Sequence, residues 1–471
     1  MGSYFADLHI HSKYSRACSQ TLDIANLEKY ARVKGINLLG TGDFTHPKWI
    51  EEIRANLSEH ETGIYRTKTG FPFVLQTEIS LMYSQGGKGR KVHLVVLAPN
   101  LDAVGQITEY LKSKGRVDYD GRPIFGIPCP EFVERMKQIS DDIEIIPSHA
   151  WTPWFGLFGS KSGFDSVREC FQDKTKHIYA LETGLSSDPS MNWMLSSLDK
   201  YTLVSNSDLH SYWPWRLGRE CNHIELKELT YKNLINAIRT KKGFVETIEF
   251  WPDEGKYHYD GHRGCGIVFS PEESEKHNNI CPVCRRPLTI GVMNRVRELA
   301  DREPGKRPED AVPFRNLIPL SELIAKKLGT AVSTKKVWEE YYKIMKPYKS
   351  EYDVLLNAEK EQLEKLTHPK IAEIIVMNRG SGIKWRPGYD GVYGEPIIEP
   401  IENKSDREPG IENRELKTDS LFQKGWRKEA HSDELNALKT GNRIRANRPY
   451  QPIAHSDKLN ALRTDTPITD N

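Results

Sequence analysis

Seven short apolar runs, at roughly 4–11, 37–43, 71–80, 91–99, 144–150, 179–184 and 202–208, alternate with amphipathic stretches, and each holds a histidine or an acidic residue. Runs of this length, bounded by polar residues, read as strands. Leu22 to Lys34 has helical spacing, with Thr21 or Asp23 placed to cap it and Gly35 to stop it; Asp102 to Lys114 reads the same way. Seven strands alternating mostly with helices over about 240 residues predict an α/β fold with a mainly parallel sheet or barrel. The third and fourth runs are the exception. The segment 84–90 (SQGGKGR) between them reads as a hairpin loop.

The pattern changes after Gly243. Residues 251–290 hold three of the seven cysteines with little periodicity, and 291 to about 366 is helical in spacing. A Gly/Trp/Tyr-rich stretch closes this part near 396, after which the chain turns polar and charged. The expected division is a catalytic barrel over 1–248, a zinc-binding module over 249–290, a helical region over 291–396 and a disordered tail over 397–471. In that tail 430–440 (AHSDELNALKT) nearly recurs at 454–464 (AHSDKLNALRT). Two copies are too few for a solenoid. They read as a duplicated solvated tail, or as short recognition segments for a protein partner.

Composition removes whole classes of function. Sixty-seven Lys and Arg against sixty-five Asp and Glu give a net charge of +2, so a nucleic acid must be held by local patches and not by a global field. No window approaches the 18 or more apolar residues of a membrane span, and seven cysteines in 471 residues are too sparse for a disulfide scaffold. The expectation is a soluble cytoplasmic protein without a membrane partner.

The run ends carry the chemistry. His9 and His11 lie two apart in a strand-like run, so both imidazoles point to one face, and Asp208 and His210 repeat the arrangement at the last run. Asp43 and His46 follow the second run, Glu78 lies in the third, His93 in the fourth and His149 after the fifth. In a βα barrel such ends converge. Gathering so many imidazoles without a cation would leave donors and acceptors unpaired at about 1–3 kcal/mol each, so a polynuclear metal site is expected. Imidazole and carboxylate ligands suit Zn²⁺, Mn²⁺ or Fe²⁺. Carboxylate-bridged cations bring a bound water to a near-neutral pKa and neutralise phosphoryl oxygens, which favours phosphoester hydrolysis over deamination or amide hydrolysis.

A second cluster is local. His262-x2-Cys265-x15-Cys281-x2-Cys284 has the spacing of two ligand knuckles around a structural zinc, with His258 and His277 as reserves. Four protein ligands would close that site to substrate. Two further segments suit a nucleic acid. Lys88, Arg90 and Lys91 lie in the glycine-rich loop, and 151–158 (WTPWFGLF) puts aromatics next to His149.

His9-x-His11, Gly42-Asp43-Phe44-Thr45-His46, Glu78, His93, His149 and Asp208-x-His210 together resemble the motifs of the PHP (polymerase and histidinol phosphatase) superfamily. The resemblance implies a distorted (β/α)7 barrel with two or three divalent metals (Zn, Mn, Mg or Fe) at the strands' C-terminal ends. His9, His11, Glu78, His149, Asp208 and His210 would then be catalytic, with His93 and either Asp43 or His46 as further ligands. In the usual second motif Asp directly precedes His; here two residues intervene, and His46 is the preferred ligand. Glu182 matches a Glu often seen after the sixth strand, as a substrate contact or a plain strand-end residue.

Over residues 1 to about 396, including the zinc-ligand spacing and the 388–394 segment (GYDGVYG), the chain resembles the endonuclease Q branch of that superfamily. The branch implies nicking of double- or single-stranded DNA on the 5′ side of uracil, hypoxanthine, xanthine or an abasic site. Metal-activated hydroxide would be the nucleophile and the lesion nucleotide would be flipped out. Ser186, Ser187 and Asn192 are then candidates for reading the base. A PHP phosphatase or exonuclease, and a non-catalytic nucleic-acid-binding module, are the competing expectations.

Overall fold

The computed structural model describes residues 1–401 apart from Ser381, and these fall within one compact unit. The two tail repeats lie outside the described residues.

All seven expected strands form: β1 (Gly2–Asp7), β2 (Leu38–Gly40), β3 (Pro72–Gln85), β4 (Lys88–Ala98), β5 (Glu144–Pro147), β6 (Ala180–Glu182) and β7 (Thr202–Val204). β1 pairs parallel to β2 and β2 to β3, whereas β3, β4 and β5 run antiparallel and β6 pairs parallel to β7. Single contacts complete the ring. The Ala150 amide donates to the Glu182 carbonyl, and Ile10 bridges Leu209 past the ends of β1 and β7. The result is a distorted seven-stranded barrel with an antiparallel insert. Gly86 and Gly87 make the insert possible: both have positive φ (60° and 73°), as a two-residue turn between Gln85 and Lys88 requires.

Helices pack outside the ring. α1 (Ile24–Lys34) is capped by Asp23, whose carboxylate accepts from the Asn26 amide, and stopped by Gly35 at φ 101°. Ile24, Leu27 and Ala31 of α1 lie in the same apolar core as Ile10, Leu39, Phe73 and Leu94.

The sheet is larger than the sequence predicted. β8 (Cys221–Leu226) and β9 (Phe244–Glu249) extend it antiparallel from β1, and β10 (Phe314–Asn316) adds to β9 in parallel. The helical region has its own core, built from Ile318, Leu320, Leu323, Tyr341, Leu355 and Ile375 among others. The stretch from Tyr352 to Leu366 breaks at Ala358 into two helices, Glu351–Asn357 and Lys360–Leu366. Lys34 of α1 ties the helical region to the barrel: its buried ammonium donates to Glu351 Oε1 at 2.7 Å and to the Pro214 carbonyl at 2.8 Å.

No helix among the described residues is long and apolar enough to cross a membrane.

Candidate metal centre

Barrel strands diverge at one end, and side-chain amides replace the missing ladder bonds there. Gln76 Oε1 accepts from the Ile10 and Gly42 amides, and Asn206 Oδ1 accepts from the Leu8 amide. These bonds fix the backbone that carries His9, His11 and the residues after β2 and β7. Asp43 (43°), His149 (35°) and Asp208 (46°), all at this rim, hold positive φ without being glycine. Such conformations cost of order 1–3 kcal/mol and persist where surrounding contacts over-determine them, typically at functional sites.

Glu78 is the hub. Its fully buried carboxylate lies with His9, His11 and Asp208 in one group able to hold a metal ion, and with His93 and His149 in a second. Oε2 is 3.3 Å from His11 Nε2 and 3.6 Å from His9 Nε2; Oε1 is 2.8 Å from His93 Nδ1 and 3.1 Å from His149 Nε2. Asp208 Oδ1 stands 3.0 Å from His11 Nε2 and 3.7 Å from His9 Nε2. A carboxylate shared between two imidazole groups is what a bridged pair of cations requires.

Buried polar atoms are almost always hydrogen-bonded. Yet His9 Nε2, His11 Nε2 and Asp208 Oδ1 have no hydrogen-bond partner, although they converge. A cation would satisfy all three, so the residues present fit the metal that the fold implies. The surrounding carboxylates favour positive charge at this point. Burial pulls the His9 and His11 imidazoles down, but carboxylates (Glu182 and Glu78 for His9; Asp43, Asp208 and Glu78 for His11) raise both well above the usual histidine range. Burial holds His93 at about 3 and His210 at about 4, so both present lone pairs at neutral pH.

The other expected ligands sit one layer out. Asp43 does not join either group: its Oδ1 accepts from His11 Nδ1 at 2.9 Å, while Oδ2 accepts from the Ser12 amide and from the hydroxyls of Ser12 and Ser15. With all those bonds made, the carboxylate faces the back of His11. His46 does not join either; its ring stacks on Tyr14 at 4.5 Å and 14°, directed by its place at the N-cap of α2 (Pro47–Asn56). His210 stands beside His11, 4.9 Å between ring centroids, and donates Nδ1–H to the Asp208 carbonyl, leaving Nε2 with a lone pair. Glu182 is neither substrate-facing nor idle. It accepts from His9 Nδ1 at 3.0 Å, from the His149 amide and from Asn206 Nδ2. Outer carboxylates of this kind fix the tautomer and orientation of ligand imidazoles.

Sequence reading missed Arg122, whose Nη1 donates to Glu78 Oε2 at 3.2 Å from a loop with no periodic pattern. It missed Gln76 and Asn206 as well, since an amide in a strand carries no distinctive spacing. The base-reading candidates divide. Ser187 and Asn192 are buried and occupied, with Asn192 Oδ1 accepting from Trp151 Nε1 and its Nδ2 donating to Ser187 Oγ. Ser186 remains half-buried. Arg90 is also occupied, bonded to Glu169 at 2.7 Å and set over the Phe164 ring. Trp151 and Phe158 are core, whereas Trp154 and Phe155 are half-buried at the mouth, Phe155 4.4 Å from the His93 ring.

His262, Cys265, Cys281 and Cys284 come together as expected, with His262 Nδ1 3.6 Å from Cys284 Sγ. Each knuckle is a tight turn: the Gly266 amide donates to the Arg263 carbonyl and the Arg285 amide to the Cys281 carbonyl. His258 and His277 instead stack on Tyr259 and Phe269. Three cysteine sulfurs and an imidazole are a donor set of the kind a structural zinc takes.

Residues 319–381 match the family model described as the MJ0043 C-terminal domain. Among relatives, the uncharacterized protein MJ0043 of Methanocaldococcus jannaschii is 35% identical over 317 residues, which are 64% of this chain but 37% of that one. The uncharacterized protein YqxK of Bacillus subtilis is 28% identical over 84% of this chain and 99% of its own. Two solved structures align over 84% of this chain at 31% identity. One is the lesion-specific endonuclease PfuEndoQ from Pyrococcus furiosus (TM-score 0.76, 96% of that chain); the other is endonuclease Q in complex with a 27-mer duplex bearing an abasic lesion at the active site (TM-score 0.75, 97%). Fold and centre thus define the class, the PHP-fold metal-dependent phosphodiesterases. Within it, the chain belongs to the endonuclease Q family.

Proposed function

We propose that this chain is a DNA-repair endonuclease that nicks DNA 5′ of deaminated bases (uracil, hypoxanthine or xanthine) or abasic sites. The observation that carries the reading is Glu78, shared between two buried imidazole groups whose orphaned atoms converge. Family membership supplies the substrate class. His9, His11, Glu78 and Asp208 would hold one cation, Glu78, His93 and His149 another, and His210 lies beside the first. Bound divalent cations supply a water of near-neutral pKa and neutralise phosphate oxygens.

The chain's own residues then do the rest. Glu182 and Asp43 hold the Nδ1 protons of His9 and His11, so both Nε2 atoms face inward. The oxygen of water bonds to phosphorus as the P–O3′ bond breaks, and the water's proton ends on the departing oxygen, leaving a 3′-hydroxyl and a 5′-phosphate. Trp154 and Phe155 offer half-buried rings on which an extruded base stacks, at about 1–3 kcal/mol per base. We assign 1–248 to the catalytic barrel, 249–290 to a zinc-holding module and 291–396 to a DNA-clasping region.

An end-labelled duplex with one deoxyuridine tests the reading. A single nick 5′ of the uracil is expected. Progressive shortening or release of free phosphate would point to the exonuclease or phosphatase alternative, and binding without cleavage to a non-catalytic module.

A further inference from the structure

Arg122 is the one guanidinium in contact with the Glu78 hub among the described residues. It is held there by a clamped loop. Asp120 Oδ1 accepts from the Arg122 amide at 3.2 Å and from the Arg16 amide at 3.3 Å. Gly121 donates its amide to the Tyr14 carbonyl, and its Cα lies so close to the Asp43 and Ser15 side chains that a Cβ has no room. On the other side the Pro123 carbonyl accepts from the Ser80 amide, and Ile124 and Phe125 pair with Ser80 and Leu81 of β3. One flank is therefore bonded to the loop that follows His9 and His11, the other to β3, which carries Glu78.

The guanidinium spends little of its capacity on the protein. Nη1 donates to Glu78 Oε2 at 3.2 Å, and the remaining guanidinium nitrogens donate to no protein acceptor among the described residues. The side chain is 26% exposed while Glu78 is fully buried, so the arginine stands between the buried carboxylate and open space. Five donors in a planar fork match the non-bridging oxygens of a phosphate, and a charge that is pre-positioned needs no reorganisation when negative charge grows there.

We propose that Arg122 is a further catalytic residue, taking a non-bridging oxygen of the phosphodiester seated on the Glu78 cluster and stabilising the charge that develops as the P–O3′ bond breaks. The inference rests on the phosphodiester reading of the site, and requires only that a phosphate group bind there.

The test uses the full chain loaded with Mn²⁺, as wild type, Arg122→Gln and Arg122→Lys. Metal per chain is measured by elemental analysis, inorganic phosphate affinity by calorimetry, and turnover with both bis(p-nitrophenyl) phosphate and uracil-containing duplex. Arg122→Gln should keep the metal content, weaken phosphate binding about tenfold or more and slow hydrolysis about 100- to 1,000-fold, with partial recovery in Arg122→Lys. Phosphate binding and hydrolysis within about threefold of wild type would overturn the proposal. So would metal loss in proportion to the lost rate, which would make Arg122 a prop for Glu78. If wild type ignores uracil yet phosphate binding still depends on Arg122, the arginine assignment stands and the lesion reading fails.

Discussion

The two candidate metal sites are built in opposite ways. The barrel centre gathers side chains from His9 to Asp208, carried by five different strands or the segments that follow them, over a core containing Leu8, Ile10, Leu39, Leu94 and Val204. The Cys/His site draws all four ligands from 262–284, where Cys281 is the only buried member of the apolar core. The barrel can fold first and present its ligands. The module has almost nothing else to bury, so a metal held there would stand in for a core. The donors follow the same division: carboxylates and imidazoles in one, cysteine sulfurs with a single imidazole in the other.

The strongest way to break this contrast is Asp208→Ala. That side chain faces both orphaned imidazole nitrogens, and its loss should cut nicking by on the order of 10³-fold or more, with one zinc per chain retained by elemental analysis. Nicking within tenfold of wild type would dissolve the barrel centre as described. Cys281→Ala should do the reverse. Zinc is lost and amide exchange rises across 257–290, while barrel metals and the barrel's exchange protection are kept. Loss of barrel metals in that variant would mean the two sites are not independent.

Metal removal sharpens the same contrast without mutation. Asp208 and His210 are 22% and 34% exposed, and their carboxylate and imidazole donors release divalent ions more readily than thiolates do. A brief treatment with a mild chelator should abolish nicking while about one zinc per chain remains, and Mn²⁺ should restore the activity. Co-release of zinc with activity would erase the distinction.

The same contrast explains what the sequence makes legible. Strand existence follows from apolar runs that tolerate no other placement, and Glu78, His9 and His11 stand where period-2 geometry puts them. The cysteine knuckles are legible for a simpler reason, because their ligands are neighbours in the chain. Orientation is another matter. Spacing cannot say whether a carboxylate near a metal faces the ion or the back of an imidazole, and Asp43 and Glu182 both proved to face imidazoles. Arg122 arrives from a loop whose position is set by Gly121 and Asp120, contacts that exist only once the barrel has closed. β8 and β9 extend the sheet because β1 has a free edge to pair, a tertiary fact with weak local signal.

Asp43 and His46 supply the smallest and most discriminating test. Sequence spacing favours His46 as the ligand, while the geometry puts Asp43 one bond behind His11 and leaves His46 stacked on Tyr14. Asp43→Asn keeps the shape but trades a charged acceptor for an amide that must also satisfy the Ser12 and Ser15 donors. Loss of an outer carboxylate of this type costs about 10- to 100-fold in metal affinity or activity. His46→Ala should cost little of either, because the ring belongs to neither ligand group. Metal titration of the two variants decides the matter: a larger loss of affinity in His46→Ala than in Asp43→Asn would mean that the His46 ring turns from Tyr14 toward the centre when a cation binds.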